Sequence, residues 1–188
     1  MTRRFEPHDD PDINSVWVWF EYQIALIGES RVSVLRSFRP GIDVVGVALR
    51  PHESRFIGLT RVEAEEFFDA QRDQTELVVM LQLLATTEAI LRLEFRVRVA
   101  SKKKDRLSRR FREIHKANGD KVRLDDDILA AMKEEGTPAN VIAAFRGALT
   151  LRNWLAHGRY WQPKLGRGYL PTDVFDISRD LIDSIPPW

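Results

Sequence analysis

The chain has 188 residues, 44% of them hydrophobic and 30% charged, with a net charge of +1. That length and apolar content suit one domain, or one domain with an appended N-terminal segment, and argue against global disorder. Cysteine is absent, which excludes disulfide staples, thiolate metal sites and a cysteine nucleophile, and fits a cytoplasmic setting. The longest uncharged run, residues 77–87, has 11 residues, well short of the roughly 20 apolar residues that a membrane span needs. Residues 1–12 are polar and lack the apolar core of a signal peptide.

Residues 1–59 read ambiguously. Val16-Trp17-Val18-Trp19-Phe20 favours a strand by propensity, yet residues 15–27 fit a buried helix equally well. Arg39-Pro40-Gly41 breaks the chain. Residues 44–49 are β-branched and bounded by Gly41 and Pro51, as in a small strand or a covering loop.

From Thr60 onward the pattern is helical. Thr60 and Glu63 have capping-box spacing. They predict a helix through Phe67 and Phe68, followed by a second over about residues 76–99 carrying the stripe Leu77, Leu81, Leu84, Leu91 and Phe95. Lys102-Lys103-Lys104-Asp105 reads as a basic turn. A basic helix over 107–116 ends at Asn118-Gly119, and a short helix over 126–135 stops at Gly136. The sharpest boundaries belong to a helix over 138–157, with Thr137 as its N-cap, Pro138 at its first position and Gly158 as its stop. A last helix over 172–184 ends before Pro186-Pro187. Helices joined by short turns predict an all-α bundle over residues 60–188, with residues 1–59 packed on it and open to either a helical or a partly β structure.

Charge is unevenly spread. Between Arg92 and Arg112 ten basic residues face only Glu94 and Asp105, a net +8 in a chain of net +1. Such density attracts polyanions, nucleic acid above all, although a basic segment can also be no more than a solvated surface. Arg92, Arg96, Lys102, Lys103, Lys104, Arg106, Arg109 and Arg110 are the candidate RNA contacts.

The 138–157 helix has an anomaly on its core face. At 100° per residue, Val141, Ile142, Ala148 and Leu149 fall within about 60° of Phe145, and Arg152 within about 20°. Asn153 lies at the stripe's edge, and His157 stacks one turn beyond it. Arginine stays charged, so Arg152 needs a carboxylate, a cleft or an interface. Glu88 interrupts the apolar stripe of its own helix and can supply the carboxylate. An Arg152–Glu88 pair that merely fixes helix register is the structural alternative, as is a surface pair between Glu88 and Arg92. Imidazole titrates near neutral pH, so a histidine beside Arg152 and Asn153 can give or take a proton.

An arginine followed by a polar residue, three further residues and a histidine resembles the HEPN signature, and Leu151-Arg152-Asn153-Trp154-Leu155-Ala156-His157-Gly158 looks like a full instance. The stretch Thr87-Glu88-Ala89-Ile90-Leu91-Arg92 is similar to a central helix of bacterial members. The resemblance runs from about Thr60 to the C-terminus. It implies a helical bundle whose active forms are homodimers, with motif helices of two subunits lining one cleft. By the resemblance, Arg152 would hold the scissile phosphate, His157 would act in general acid–base catalysis and Asn153 would orient one or the other. Glu88 and Tyr160 would be supporting residues. The RNA 2′-hydroxyl would be the nucleophile, giving a 2′,3′-cyclic phosphate with no metal or other cofactor. Such proteins serve as toxins with an antitoxin partner, or in antiviral defence. One subgroup carries, two residues after the histidine, a tyrosine that a partner nucleotidyltransferase modifies. Arg159 stands there in this chain and Tyr160 comes one later, which sets it apart from that subgroup. Tyr160 and Trp161 can stack on a base or simply cover the bundle end.

Two other function classes remain open on the residues alone. One is a non-catalytic module that holds RNA or a protein through the basic segment. The other is an interaction protein with Arg152 and Glu88 paired in a dimer core. A metalloenzyme has little support, because His8, His52, His115 and His157 lack ligand spacing, and no glycine-rich phosphate loop is present.

Overall fold

In a computed structural model of the chain, the described residues are 10–38, 54–101, 103–159 and 165–187. They form six α-helices and no strand. The helices are α1 (Ile13–Arg36), α2 (Arg61–Ala100), α3 (Arg106–Asn118), α4 (Ala130–Glu134), α5 (Ala139–Ala156) and α6 (Pro171–Asp183). A wide π turn, Leu124–Leu129, leads into α4. The described residues within Met1–Trp17 and Met80–Trp188 form one compact unit, and those within Val18–Val79 a second.

Among the described residues the all-α expectation holds, and of the two readings of residues 15–27 the helix is the one observed. The aromatic and β-branched run at Val16–Phe20 lies inside the 24-residue helix α1. Asp12 starts it, accepting from the amides of Asn14 and Ser15 at 3.0 Å each. The Ser15 hydroxyl and these amides hold the Asp12 carboxyl below its ordinary range. Ile13, Val16 and Phe20 are buried at helical steps of three and four, and that period outweighs β propensity. The residues 44–49 read as a strand or loop lie outside the described residues.

The two helices expected over residues 60–99 are one. The 40 residues of α2 contain neither glycine nor proline, so nothing in the polar stretch around Gln71 breaks the hydrogen-bond ladder. The pairs Arg61–Glu65 at 3.0 Å and Arg72–Glu76 at 2.9 Å add (i, i+4) support across it. The capping box forms as expected. Thr60 donates its amide to Glu63 at 2.7 Å, and the Glu63 amide donates to the Thr60 hydroxyl at 3.3 Å. In the Val18–Val79 unit, Val34, Phe56, Ala64 and Phe68 make a small core. Phe56 stacks on Phe68 with ring centroids 5.3 Å apart, and Arg31 pairs with Asp69 at 2.7 Å.

The larger unit buries Leu84, Leu91 and Phe95 of α2 against an interior that includes Phe111 of α3 and Phe145 of α5. Phe95 and Phe111 meet with centroids 4.9 Å apart. Helix α5 packs on α6 and α3 on α4. Thr137 is no N-cap for α5. It is buried, and its hydroxyl donates to the Ser184 carbonyl at 3.2 Å, which ties the start of α5 to the end of α6. Asp173 accepts from the Leu170 amide at 2.8 Å at the start of α6. A leucine cannot return that bond, so only half of a capping box forms.

One buried charge organises this unit. Arg98, 1% exposed, bonds Glu94 at 2.5 Å and Asp105 at 2.9 Å, and donates to the Pro186 carbonyl. Asp105 is also the N-cap of α3, accepting from the Ser108 amide at 2.8 Å. Burial pushes the Asp105 carboxyl up, but the Ser108 hydroxyl and amide and the Arg98 guanidinium outweigh it and hold it below its ordinary value. The hydroxyl acts as a nearby dipole, since Ser108 Oγ closes no hydrogen bond of good geometry. A depressed carboxylate contributes stability above its unfolded pKa and loses it as pH falls through the folded one. Asp105→Asn should therefore be clearly less stable than the parent at pH 6. The gap should narrow below about pH 4, near the ordinary aspartate value. Urea unfolding at a series of pH values reads this directly, and a gap independent of pH would refute it.

Candidate functional site

Helix α5 carries Arg152 and Asn153 in its last turn and a half, and His157 follows directly as its C-cap. Its core face is Ile142, Phe145, Ala148 and Leu151, all buried. Arg152 follows Ala148 by one turn on that face, where the side chain is 32% exposed. The helix ends with His157 as C-cap, its amide bonded to the Asn153 carbonyl at 3.1 Å. Gly158 follows at φ 83°, and the Arg159 amide reaches back to the Trp154 carbonyl at 3.2 Å. That is a Schellman closure, which needs a left-handed residue where Gly158 stands. Arg159 is also left-handed, at φ 60°, an uncommon setting for a residue with a Cβ. The turn thus fixes His157 at a defined, exposed helix end.

Both expected partners of Glu88 are present at once. Its Oε2 meets Arg152 Nη2 at 3.3 Å, and its Oε1 meets Arg92 Nη2 at 2.9 Å. Glu88 is 21% exposed, so the carboxylate is a partly dry bridge between α2 and α5. Arg152 Nη1 reaches Asn153 Oδ1 at 3.4 Å, long for a hydrogen bond. Arg152 Nε is buried and has no hydrogen-bond partner. One carboxylate shared by two guanidiniums leaves surplus positive charge beside it. An anion such as a phosphate matches that charge.

The structure therefore brings Glu88, Arg92, Arg152 and Asn153 together and puts His157 four residues after Asn153, at the C-cap of α5. Tyr160 lies outside the described residues, as does Lys102.

The basic segment is less uniform than its composition suggests. Arg112 caps the end of α2, donating to the carbonyls of Ser101 at 3.0 Å and Lys103 at 2.7 Å. Arg109 donates to the Lys104 carbonyl at 2.6 Å, and Arg110 pairs with Glu134 at 3.2 Å. Arg96, Lys103, Lys104 and Arg106 are exposed. Sequence reasoning missed Arg98 as a buried organiser, although it follows Leu91 and Leu84 by seven and fourteen residues and so continues the core stripe. It also missed a small cavity beside Arg92, lined by residues of α2, α3 and the turn after α3.

Among the described residues no group of three or more His, Asp or Glu side chains forms a metal-ion site, and no helix is long and apolar enough to cross a membrane. Neither protein-family models, nor curated proteins, nor solved structures match the chain.

Proposed function

We propose that this protein is a metal-independent endoribonuclease of the HEPN type, acting as a homodimer. The observation that carries the reading is Arg152. It is an arginine on the core face of α5, partly buried, sharing Glu88 with Arg92 and keeping a buried Nε without a partner. In the proposed reaction Arg152 binds the scissile phosphate and stabilises the charge that develops on it. His157 relays the proton. The 2′-oxygen loses its proton and attacks phosphorus, the bond from phosphorus to the 5′-oxygen breaks, and that oxygen leaves protonated. The products are a 2′,3′-cyclic phosphate and a 5′-hydroxyl. Asn153 orients the phosphate or His157, and Tyr160 is a supporting residue. Arg92, Arg96, Lys103, Lys104, Arg106, Arg109 and Arg110, with Lys102, hold the flanking backbone. A toxin paired with an antitoxin protein, or an antiviral nuclease, is the biological role this activity fits.

The test is cleavage of single-stranded RNA by the purified chain with EDTA present, with cyclic-phosphate ends identified as those that resist phosphatase until acid opens the ring. Cyclic-phosphate ends support the reading, and intact RNA from a folded protein removes it.

A second reading has one observation in its favour. Glu88 already neutralises part of Arg152, as in an ion pair that only fixes helix register. That would suit a non-catalytic module for RNA or a protein partner. Glu88→Gln separates the two. In the phosphate-binding reading Glu88 competes with RNA for Arg152. The substitution, made in the inactive His157→Ala chain, should tighten RNA binding about fivefold, some 1 kcal/mol for a partly exposed pair. In the structural reading RNA affinity stays constant and only the unfolding midpoint falls. Fluorescence anisotropy and urea titration together decide between them.

A further inference from the structure

A cavity of about 230 Å³ opens beside Arg92, between α2, α3 and the turn that follows α3. Its floor is apolar, made by Phe95 and Ile128, both buried, with Val122 half-buried beside them. Its rim is polar and carries two arginines against one carboxylate: Arg92 and Arg96, one turn apart on α2, His115 near the end of α3, and Asp120 in the turn. The His115 ring stands across Phe95 with centroids 6.3 Å apart and planes at 68°, and is itself exposed. Gly119 closes α3 at φ 56°, its amide bonded to the His115 carbonyl, and so swings the chain round to bring Asp120 and Val122 into the wall.

We propose that this cavity is a nucleotide subsite, taking one unstacked base of a single-stranded RNA next to the phosphate held by Arg152. The inference rests on the ribonuclease reading and adds to it the place of a neighbouring nucleotide. The size suits a flat ring and is below what a drug-sized ligand or a folded peptide segment fills. The apolar floor and the exposed imidazole offer a face for stacking, the way proteins hold splayed RNA bases. Arg96 is exposed and has no ion-pair partner among the described residues, so it can meet the phosphate of the same nucleotide. Asp120 offers an acceptor for a base N–H. Register comes from Arg92, which lines the cavity and also holds Glu88 Oε1 while Glu88 Oε2 holds Arg152. The subsite and the phosphate site are thus joined through one carboxylate.

The experiment is equilibrium binding of a short 2′-O-methyl single-stranded oligonucleotide, which cannot be cleaved, to the full chain by anisotropy. Arg96→Ala and His115→Ala should each weaken binding about tenfold, as expected for loss of one charged contact or one stacked base. Arg179→Ala, on α6, should leave it unchanged. A scan of abasic positions along the oligonucleotide should find one at which His115→Ala no longer matters. Circular dichroism confirms that each variant is folded. Unchanged affinity in Arg96→Ala and His115→Ala would overturn the subsite and leave the ribonuclease reading standing. Equal weakening by His115→Ala at every abasic position would overturn the base contact in favour of a backbone one. Failure of the unsubstituted chain to bind any single-stranded RNA would overturn the subsite together with the reading beneath it.

Discussion

Arg98→Met should lower the unfolding free energy by about 3 kcal/mol in urea titration, the largest single-residue stability effect expected outside the apolar core. The methionine keeps most of the aliphatic stem, so packing changes little and the charge is what is lost. Glu94 and Asp105 then sit 22% and 16% exposed without their cation, and the Pro186 carbonyl loses its donor. Removing one partner of a dry network costs more than the network itself is worth, because uncompensated charge stays behind. The partial exposure of both carboxylates sets the figure at the low end of that range. The double variant Arg98→Met with Glu94→Gln should recover part of the loss, since one stranded charge is neutralised. A loss under about 1 kcal/mol for the single variant would mean that water reaches both carboxylates and that Arg98 is no organiser.

Arg98 also marks where sequence reading stops. Helix periodicity and end signals carry far. Thr60 and Glu63 form their reciprocal cap, Asn118-Gly119 ends α3, and Gly158 closes α5 in the left-handed conformation its position predicts. These features depend on residues within one turn of each other, so a sequence holds them openly. What depends on contacts distant in sequence is harder to see. Arg152 and Glu88 are legible as a pair because each interrupts an apolar stripe, and the 3.3 Å contact joins them. Arg98 interrupts the same α2 stripe, but it sits in a run of ten basic residues that invites a surface reading, and only the fold brings Asp105 and Pro186 round to it. At α1 the sequence leaves strand and helix evenly matched for a different reason. Trp and Val favour strands locally, whereas the Asp12 cap and the steps from Ile13 to Val16 to Phe20 favour a helix, and burial decided in favour of the longer period. The join of two expected helices into α2 shows that a polar stretch without glycine or proline is no boundary.

The proposed chemistry stands or falls on a second large effect. His157→Ala should lower the rate of RNA cleavage by about 10²- to 10⁴-fold, the range that a positioned acid–base group contributes. Its unfolding midpoint should stay close to the parent's, because the side chain is exposed and the helix closes through backbone bonds from His157 and Arg159 that alanine preserves. Arg152→Ala should fall by about 10²- to 10³-fold, as for loss of a donor to a developing oxyanion. It should cost no more than about 1 kcal/mol of stability, since Glu88 keeps Arg92 and the lost pair is partly exposed. Arg152→Lys restores the charge but not the planar fork, so it should recover little activity if two oxygens of the phosphate are gripped together. The pattern to look for is a collapse of rate without a collapse of fold at both positions. If His157→Ala cuts RNA as fast as the parent, the residual activity comes from elsewhere and the proposed mechanism is wrong. If Arg152→Ala instead unfolds the chain, Arg152 is a register pin for α2 and α5, and the binding module becomes the better account.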